Sequence, residues 1–153
     1  MLIQLDKIGG DNHLENVVIP EAGVPNGALI QLGDFGNYDT IKGLKVTDVT
    51  EPIVMIVEEF MNRTGVENEA DMVFKKDFIA RGYHLLSGDV ITVTIDGVES
   101  ATNVLADMKG KFVVPQVGKY LGKINVTAVG SLCFKVMNVE TLDNKDALVL
   151  KVI

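Results

Sequence analysis

The two histidines, His13 and His84, are the side chains of this chain best suited to metal or acid–base chemistry. They are far apart in the sequence and show neither a His-x-x-x-His nor a Cys-x-x-Cys spacing. Zinc sites take three or four ligands, chiefly nitrogen and sulfur. The spacing therefore predicts no metal site. We interpret His84, which lies beside Tyr83 in a strand-like stretch, as an exposed or hydrogen-bonded structural histidine.

Nucleophilic chemistry would require an activated cysteine or serine. Cys133 is the single cysteine, so no disulfide can form within the chain. It lies in the apolar, strand-like run 132–136, which predicts a buried, inert thiol rather than a nucleophile. Ser87, Ser100 and Ser131 lack the Gly-x-Ser-x-Gly motif that exposes a catalytic serine.

Carboxylates and glycine-rich loops are the remaining candidates for a site. Residues 143–146 offer oxygen ligands but lack the glycine and glutamate positions of an EF-hand, so we predict a solvated turn. Residues 33–36 and 118–122 match neither common phosphate-binding motif. We therefore predict no catalytic residue, no cofactor and no bound metal, and we expect that the protein is not an enzyme.

The charge balance limits the classes of partner. The formal net charge is −7, whereas nucleic-acid backbones and anionic membranes attract clustered lysine and arginine. We expect neither partner. The start of the chain has no basic region followed by an apolar stretch, which argues against a signal peptide. No run approaches the roughly 20 apolar residues of a membrane span, so we expect synthesis inside the cell.

Short β-rich runs dominate the rest of the sequence. Residues 90–95 carry a β-branched side chain at every position, which favours a strand. Similar runs recur about every 8–12 residues, and residues 142–146 join the last two as a hairpin connection. Residues 98–108 show helical spacing, and residues 58–71 fit a short helix or a loop. We predict a mainly β fold, a small β-sandwich or β-barrel with one or two short helices.

The first 26 residues differ from the remainder. Pro20 and Pro25 flank their second apolar run, and prolines that close together argue against a central strand. We interpret residues 1–26 as an extended N-terminal arm and residues 27–153 as a single β-rich domain. An edge strand of the same sheet is the alternative for the arm.

Several motifs, taken in order, resemble one family of virion proteins. Residues 25–33 read PNGALIQLG, and residues 80–94 read ARGYHLLSGDVITVT. Near the end, residues 134–136 read FKV, residues 140–142 read ETL, and residues 147–152 read ALVLKV. Together they resemble the capsid decoration proteins, also called head-stabilising or cement proteins, of tailed bacteriophages that infect low-GC Gram-positive bacteria. The chain departs from that pattern in the acidic segment 58–71 and in its N-terminal extension.

The resemblance implies a structural protein made in the host bacterial cytoplasm and added to the outside of the capsid. Such proteins often form trimers and clamp neighbouring major capsid subunits. Competing interpretations are another phage structural β protein, such as a tail-tube or head–tail joining subunit, and a small β-barrel enzyme or ligand-binding module.

Contact with the capsid would then involve the apolar runs of the N-terminal segment, through strand addition to a partner sheet. The residues of this hypothesis are Leu2, Ile3, Gln4, Leu5, Val17, Val18 and Ile19. Arg81 and Tyr83 are candidates for an interface or for packing within the fold.

Overall fold

Strands make up most of the computed structural model, which describes residues 1–9, 13–58, 71–99 and 105–153. In that part of the chain, the strands in sequence order are β1 Ile3–Lys7, β2 Leu14–Val18, β3 Val24–Pro25, β4 Leu29–Phe35, β5 Thr40–Leu44, β6 Ile53–Ile56, β7 Val73–Phe74, β8 Ile79–Tyr83, β9 Val90–Thr94, β10 Val98–Glu99, β11 Phe112–Pro115, β12 Gly122–Asn125, β13 Phe134–Leu142 and β14 Lys145–Val152. Short 3₁₀ helices span Ile95–Gly97 and Leu105–Met108. The predicted mainly β class is confirmed.

One group of strands forms a seven-stranded sheet in the order β1-β9-β14-β13-β11-β12-β10. Its centre is the hairpin of β13 and β14, in which Leu142 pairs with Lys145. The two residues between them, Asp143 and Asn144, both have positive φ. This is the geometry of a type I′ turn, which suits the twist of a hairpin. The predicted hairpin connection at residues 142–146 is confirmed.

A second group of strands closes into a barrel in the order β2-β5-β4-β6-β8. The antiparallel pairing of β2 with β8 completes the ring, while β2 and β5 run parallel. Strands β3 and β7 form a separate two-stranded sheet.

Two hydrophobic cores follow from this arrangement. One lies inside the barrel and includes Val54 and Ile56 of β6. The other joins the barrel to the seven-stranded sheet and includes Ile53 and Met55 of the same strand. Successive side chains of a strand point to opposite faces, so all four residues of β6 are buried. This strand is the shared wall of both cores.

Glycine makes room inside the barrel. A barrel of about eight strands has an interior just wide enough to be filled by side chains, and this barrel has only five strands, so its interior is narrower. A Cβ atom at Gly43 would lie 2.9 Å from Val17 Cγ1, and one at Gly82 would lie 2.8 Å from Val17 Cγ2. Gly43 belongs to β5 and Gly82 to β8, the two neighbours of β2. Val17 therefore occupies space that both adjacent strands leave empty.

The N-terminal segment is not the extended arm that its prolines suggested. Strand β1 pairs with β9 at the edge of the seven-stranded sheet, and β2 is paired on both sides in the barrel. The two prolines do not interrupt β2, because Pro20 follows its end and Pro25 lies in β3. Their positions are compatible with the missing N–H donors, so the segment can be part of the fold.

The helical spacing of residues 98–108 is realised only in part. Val98–Glu99 is a strand and Leu105–Met108 a 3₁₀ helix, and residues 100–104 lie outside the described residues. The predicted helix or loop at 58–71 also falls outside them, apart from its ends at Glu58 and Asp71. No helix in the described part of the chain is long and apolar enough to cross a membrane.

Candidate functional site

The pairing of β2 with β8 brings the two histidines together. In this antiparallel pair Leu14 lies opposite Tyr83, so the next position on each strand is a histidine. The backbone N–H of His84 donates to the carbonyl oxygen of His13 over 3.1 Å, which extends the ladder by one step. Residues that the sequence keeps far apart become direct neighbours.

Strand alternation gives the two histidines a third partner. His13, Glu15 and Val17 are at alternating positions and so share one side of their strand. Val17 points into the core of the barrel, whereas Glu15 is partly exposed and His13 is exposed. His84 likewise follows Gly82 by two positions. The side chains of His13, Glu15 and His84 therefore lie at one end of the barrel, and we call them the barrel-end cluster.

The ligand atoms of the barrel-end cluster converge on one carboxylate oxygen. Oε1 of Glu15 lies 3.2 Å from Nε2 of His13 and 3.2 Å from Nε2 of His84. The two imidazole rings have their centroids 5.3 Å apart and an interplanar angle of 44°. One ligand atom from each of the three residues fits within 4.8 Å of the others. Two nitrogens and an oxygen at this spacing can hold a divalent cation or share protons.

Linear spacing did not reveal the barrel-end cluster, because Glu15 and His84 are 69 positions apart. The one local signal is His13-x-Glu15, whose alternation places two potential ligands on one strand face. Their third partner depends on which strand pairs with β2, and a single sequence does not specify that pairing.

A second feature is the pair of aromatic side chains at the tip between β4 and β5. Phe35 is 83% exposed and Tyr38 is 96% exposed. Tyr38 and Asp39 both have positive φ, a conformation that bulky side chains seldom adopt. The turn is fixed by the hydroxyl of Thr40, which donates to the carbonyl oxygen of Asn37 over 2.6 Å. We call Phe35 and Tyr38 the aromatic tip.

Beside the aromatic tip, part of the outer surface of the barrel is exposed and partly apolar. Ile79 is 52% exposed and lies opposite Val18 in the β2–β8 ladder. Arg81, also exposed, shares the face of Ile79 because it lies two positions along the same strand. The outer barrel face consists of Leu14, Val18, Ile79 and Arg81.

Arg81 and Tyr83, the two candidates for interface or packing, have different surroundings. Tyr83 packs against the core that joins the barrel to the seven-stranded sheet. Arg81 uses its backbone N–H to donate to Oε1 of Glu58 over 2.8 Å. Within residues 1–9, 13–58, 71–99 and 105–153 its guanidinium forms no ion pair. Arg81 is exposed, so its side chain is accessible to a partner.

The residues predicted to contact a capsid lie in or next to β1 of the seven-stranded sheet and β2 of the barrel. Leu2, Val17 and Ile19 are buried, and Ile3 and Leu5 pack against the core of the seven-stranded sheet. Their apolar alternation is explained by burial within the fold, which makes the three buried side chains inaccessible to a partner. Gln4 is exposed on the edge strand β1, and Val18 lies on the outer barrel face.

Three groups with shifted pKa values, those of Glu21, Tyr120 and Cys133, serve the fold. The hydroxyl of Tyr120 donates to Oε1 of Glu21 over 2.8 Å, and Nζ of Lys45 lies 2.7 Å from the same oxygen. The hydrogen bonds from Lys45 and Tyr120 lower the pKa of Glu21, while burial and the bond to Glu21 raise the pKa of Tyr120. Cys133 is buried as predicted, and burial raises the pKa of its thiol.

No protein-family model, curated protein or solved structure matches this chain.

Proposed function

We propose that the protein is a structural virion protein that binds the outer surface of a bacteriophage capsid and stabilises it by bridging neighbouring major capsid subunits. The ordered motifs that resemble capsid decoration proteins support this role. In the structure those motifs contribute β4 and β8 of the barrel, and β9 and the β13–β14 hairpin of the seven-stranded sheet. The resemblance therefore covers elements of the scaffold rather than one local turn.

The observation that carries the proposal is the exposure of the aromatic tip. Burying an aromatic side chain at an interface removes a large apolar area from water, and aromatic and arginine side chains dominate binding hot spots. Nδ2 of Asn16 on β2 lies 3.5 Å from the carbonyl oxygen of Asp39, the residue that follows Tyr38 of the aromatic tip. The aromatic tip therefore adjoins the outer barrel face, and together they offer two aromatic rings, aliphatic side chains and the Arg81 guanidinium to one partner.

We propose further that the protein assembles as a homotrimer, is made in the host bacterial cytoplasm and acts on the capsid exterior without catalysing a reaction. A trimer would present three copies of the aromatic tip. Because linked contacts bind with a high effective concentration, modest contacts at each copy combine into tight attachment. The net charge of −7 favours a dispersed free form before attachment.

Binding to capsids tests the proposal. The purified chain is first sized by mass measurement, then incubated with expanded capsids of the parent phage that lack it, and the particles are imaged by electron cryo-microscopy. We expect one trimer mass and added density on the capsid exterior. Density confined to the tail, or no density at all, would contradict the proposal.

Two surface substitutions test whether the aromatic tip makes the contact. Phe35→Thr keeps a strand-forming residue, and Tyr38→Asn places at positive φ a residue that tolerates it. We expect the double variant to fold normally and to bind capsids at least tenfold more weakly. Val126→Thr, at a valine that is 75% exposed, is the matched control and should bind like the parent. Equal binding by all three proteins would exclude the aromatic tip as the contact.

A further inference from the structure

We propose that His13, Glu15 and His84 bind one divalent transition-metal ion, for which zinc is the best match. This site is independent of capsid attachment. Its ligands would be Nε2 of each imidazole and a carboxylate oxygen of Glu15.

The distances within the barrel-end cluster fit a shared ion. Zinc lies about 2.0–2.2 Å from nitrogen and oxygen ligands, so two ligands of a tetrahedral site are separated by about 3.3–3.5 Å. The two separations between Glu15 Oε1 and the Nε2 atoms are both 3.2 Å. The third separation, between the imidazoles, is at most 4.8 Å. His13 is 72% exposed, so its side chain has the freedom to close that last distance.

A hydrogen-bonded cluster without an ion is the alternative explanation of the same contacts. Charge-assisted hydrogen bonds between nitrogen and a carboxylate are typically about 2.7–2.9 Å long. Both contacts of Glu15 are longer than that, and both histidines approach the same oxygen. The contacts also lie within the range of ordinary N–H···O hydrogen bonds and near the spacing of two ligands of a tetrahedral ion, so titration with zinc distinguishes the two explanations.

The ligand types select the class of metal. Imidazole nitrogens suit zinc, copper, nickel and iron, whereas magnesium and calcium prefer oxygen ligands throughout. Three protein ligands leave a fourth tetrahedral position for water or another small ligand. Glu15 is 21% exposed and His84 is 30% exposed, so the position is shielded on one side and open to solvent on the other.

An ion bound by the barrel-end cluster would link β2 to β8, the pair of strands that closes the barrel. Strands β2 and β8 complete the ring. Glu15 of β2 and His84, which directly follows β8, are 69 positions apart in the sequence. The unfolded chain does not hold these three residues together, so the ion binds the folded form preferentially. At a free zinc concentration one hundred times the dissociation constant, the folding equilibrium constant should rise about 100-fold.

The experiment uses the full chain without a histidine tag, after treatment with a chelator. Isothermal titration with zinc chloride at pH 7.5 should show one ion per chain, and the unfolding temperature should rise by about 5–10 °C at saturation. Magnesium chloride should give neither effect. Cobalt(II) chloride should develop the visible absorption bands of a nitrogen- and oxygen-ligated ion, and zinc should displace them.

Substitutions locate the ion. His13→Gln, Glu15→Gln and His84→Gln should each weaken zinc binding more than tenfold, while Glu51→Gln, an exposed acidic residue elsewhere, should not. Circular dichroism checks that each variant is folded. The cobalt spectrum of the parent protein tests the site without any variant. Absence of one-to-one binding, or zinc affinity unchanged in all three variants, would overturn the proposal.

Discussion

Replacing Gly82 by alanine should destabilise the barrel. The added Cβ atom would lie 2.8 Å from Cγ2 of Val17 and 2.8 Å from Cγ2 of Val54, whereas non-bonded carbons prefer about 3.5–4.0 Å. Both valines are fully buried, and their β-branched side chains have few alternative rotamers. The new methyl group therefore strains the core that fills the barrel.

The expected size of the effect follows from two opposing terms. Overpacking a filled core costs about 1–3 kcal/mol. Gly82 is not among the glycines with positive φ, so alanine fits the backbone and recovers about 0.4–1 kcal/mol by restricting the unfolded chain. The free energy of unfolding should fall by about 1–2 kcal/mol, which is the difference between these terms.

Urea unfolding followed by far-ultraviolet circular dichroism measures this change, since the chain has no tryptophan. The midpoint should fall by about 0.5–1 M urea at an unchanged slope. Lys42→Ala, at an exposed position on strand β5 of the same barrel, is the control and should change stability by less than about 0.5 kcal/mol.

A second substitution identifies the cause. Val17→Ala alone should be destabilising, because it removes buried methyl groups. Combined with Gly82→Ala it should cost less than the sum of the single changes by about 1 kcal/mol, because the two methyl groups compete for one space. Strict additivity, or a Gly82→Ala variant as stable as the parent, would refute the tight fit inside the barrel.

Two other predictions concern polar contacts that connect distant segments. Asp89→Ala should lower the free energy of unfolding by about 2–3 kcal/mol, because Asp89 is buried and its carboxylate accepts hydrogen bonds from the N–H groups of Gly9 and Leu86. Asp89→Asn should lower the free energy of unfolding by less. Urea unfolding measures both changes, and two variants as stable as the parent would contradict the prediction. Because the pKa of Tyr120 is raised in the folded protein, its hydroxyl contributes to the free energy of unfolding in full below about pH 10, the ordinary tyrosine pKa. This stabilisation is lost as the pH rises through the higher pKa of the folded state. Tyr120→Phe should therefore cost about 1 kcal/mol at pH 7 and flatten the loss of stability above pH 10, and an alkaline unfolding profile identical to that of the parent would argue against it.

Local features of the sequence predicted local parts of the fold. The β-branched run at 90–95 and the turn formers at 142–146 determine their own conformations, and the structure has β9 and the β13–β14 hairpin there. The N-terminal strands were harder to place. Pro20 and Pro25 argued against a central strand, and this was wrong for β2, which is paired on both sides. The prolines lie outside β2 and carry no information on which partner a short strand chooses. That choice depends on packing across the whole chain.

The barrel-end cluster shows the same limit at the level of a site. The spacing of His13 and His84 along the sequence excluded the common zinc motifs, and that exclusion is sound for linear motifs. The ladder between β2 and β8 converts this separation into direct contact. Glu15 joins by strand alternation alone. A search for alternating ligand residues on short strands would have found His13 and Glu15, but not His84.

The pairing of the earliest strands with late ones also affects how the protein is synthesised. Leu2 donates its N–H to the hydroxyl of Thr94, a partner 92 positions further along. Strand β2 can pair with β8 only after β8 has been synthesised. Strand β1 cannot pair with β9, and β2 cannot complete the barrel, until much of the chain has left the ribosome. Contacts so distant in sequence slow folding to roughly milliseconds to seconds. Folding must therefore be largely post-translational, and the apolar N-terminal strands are exposed to mispairing between nascent chains until it is complete.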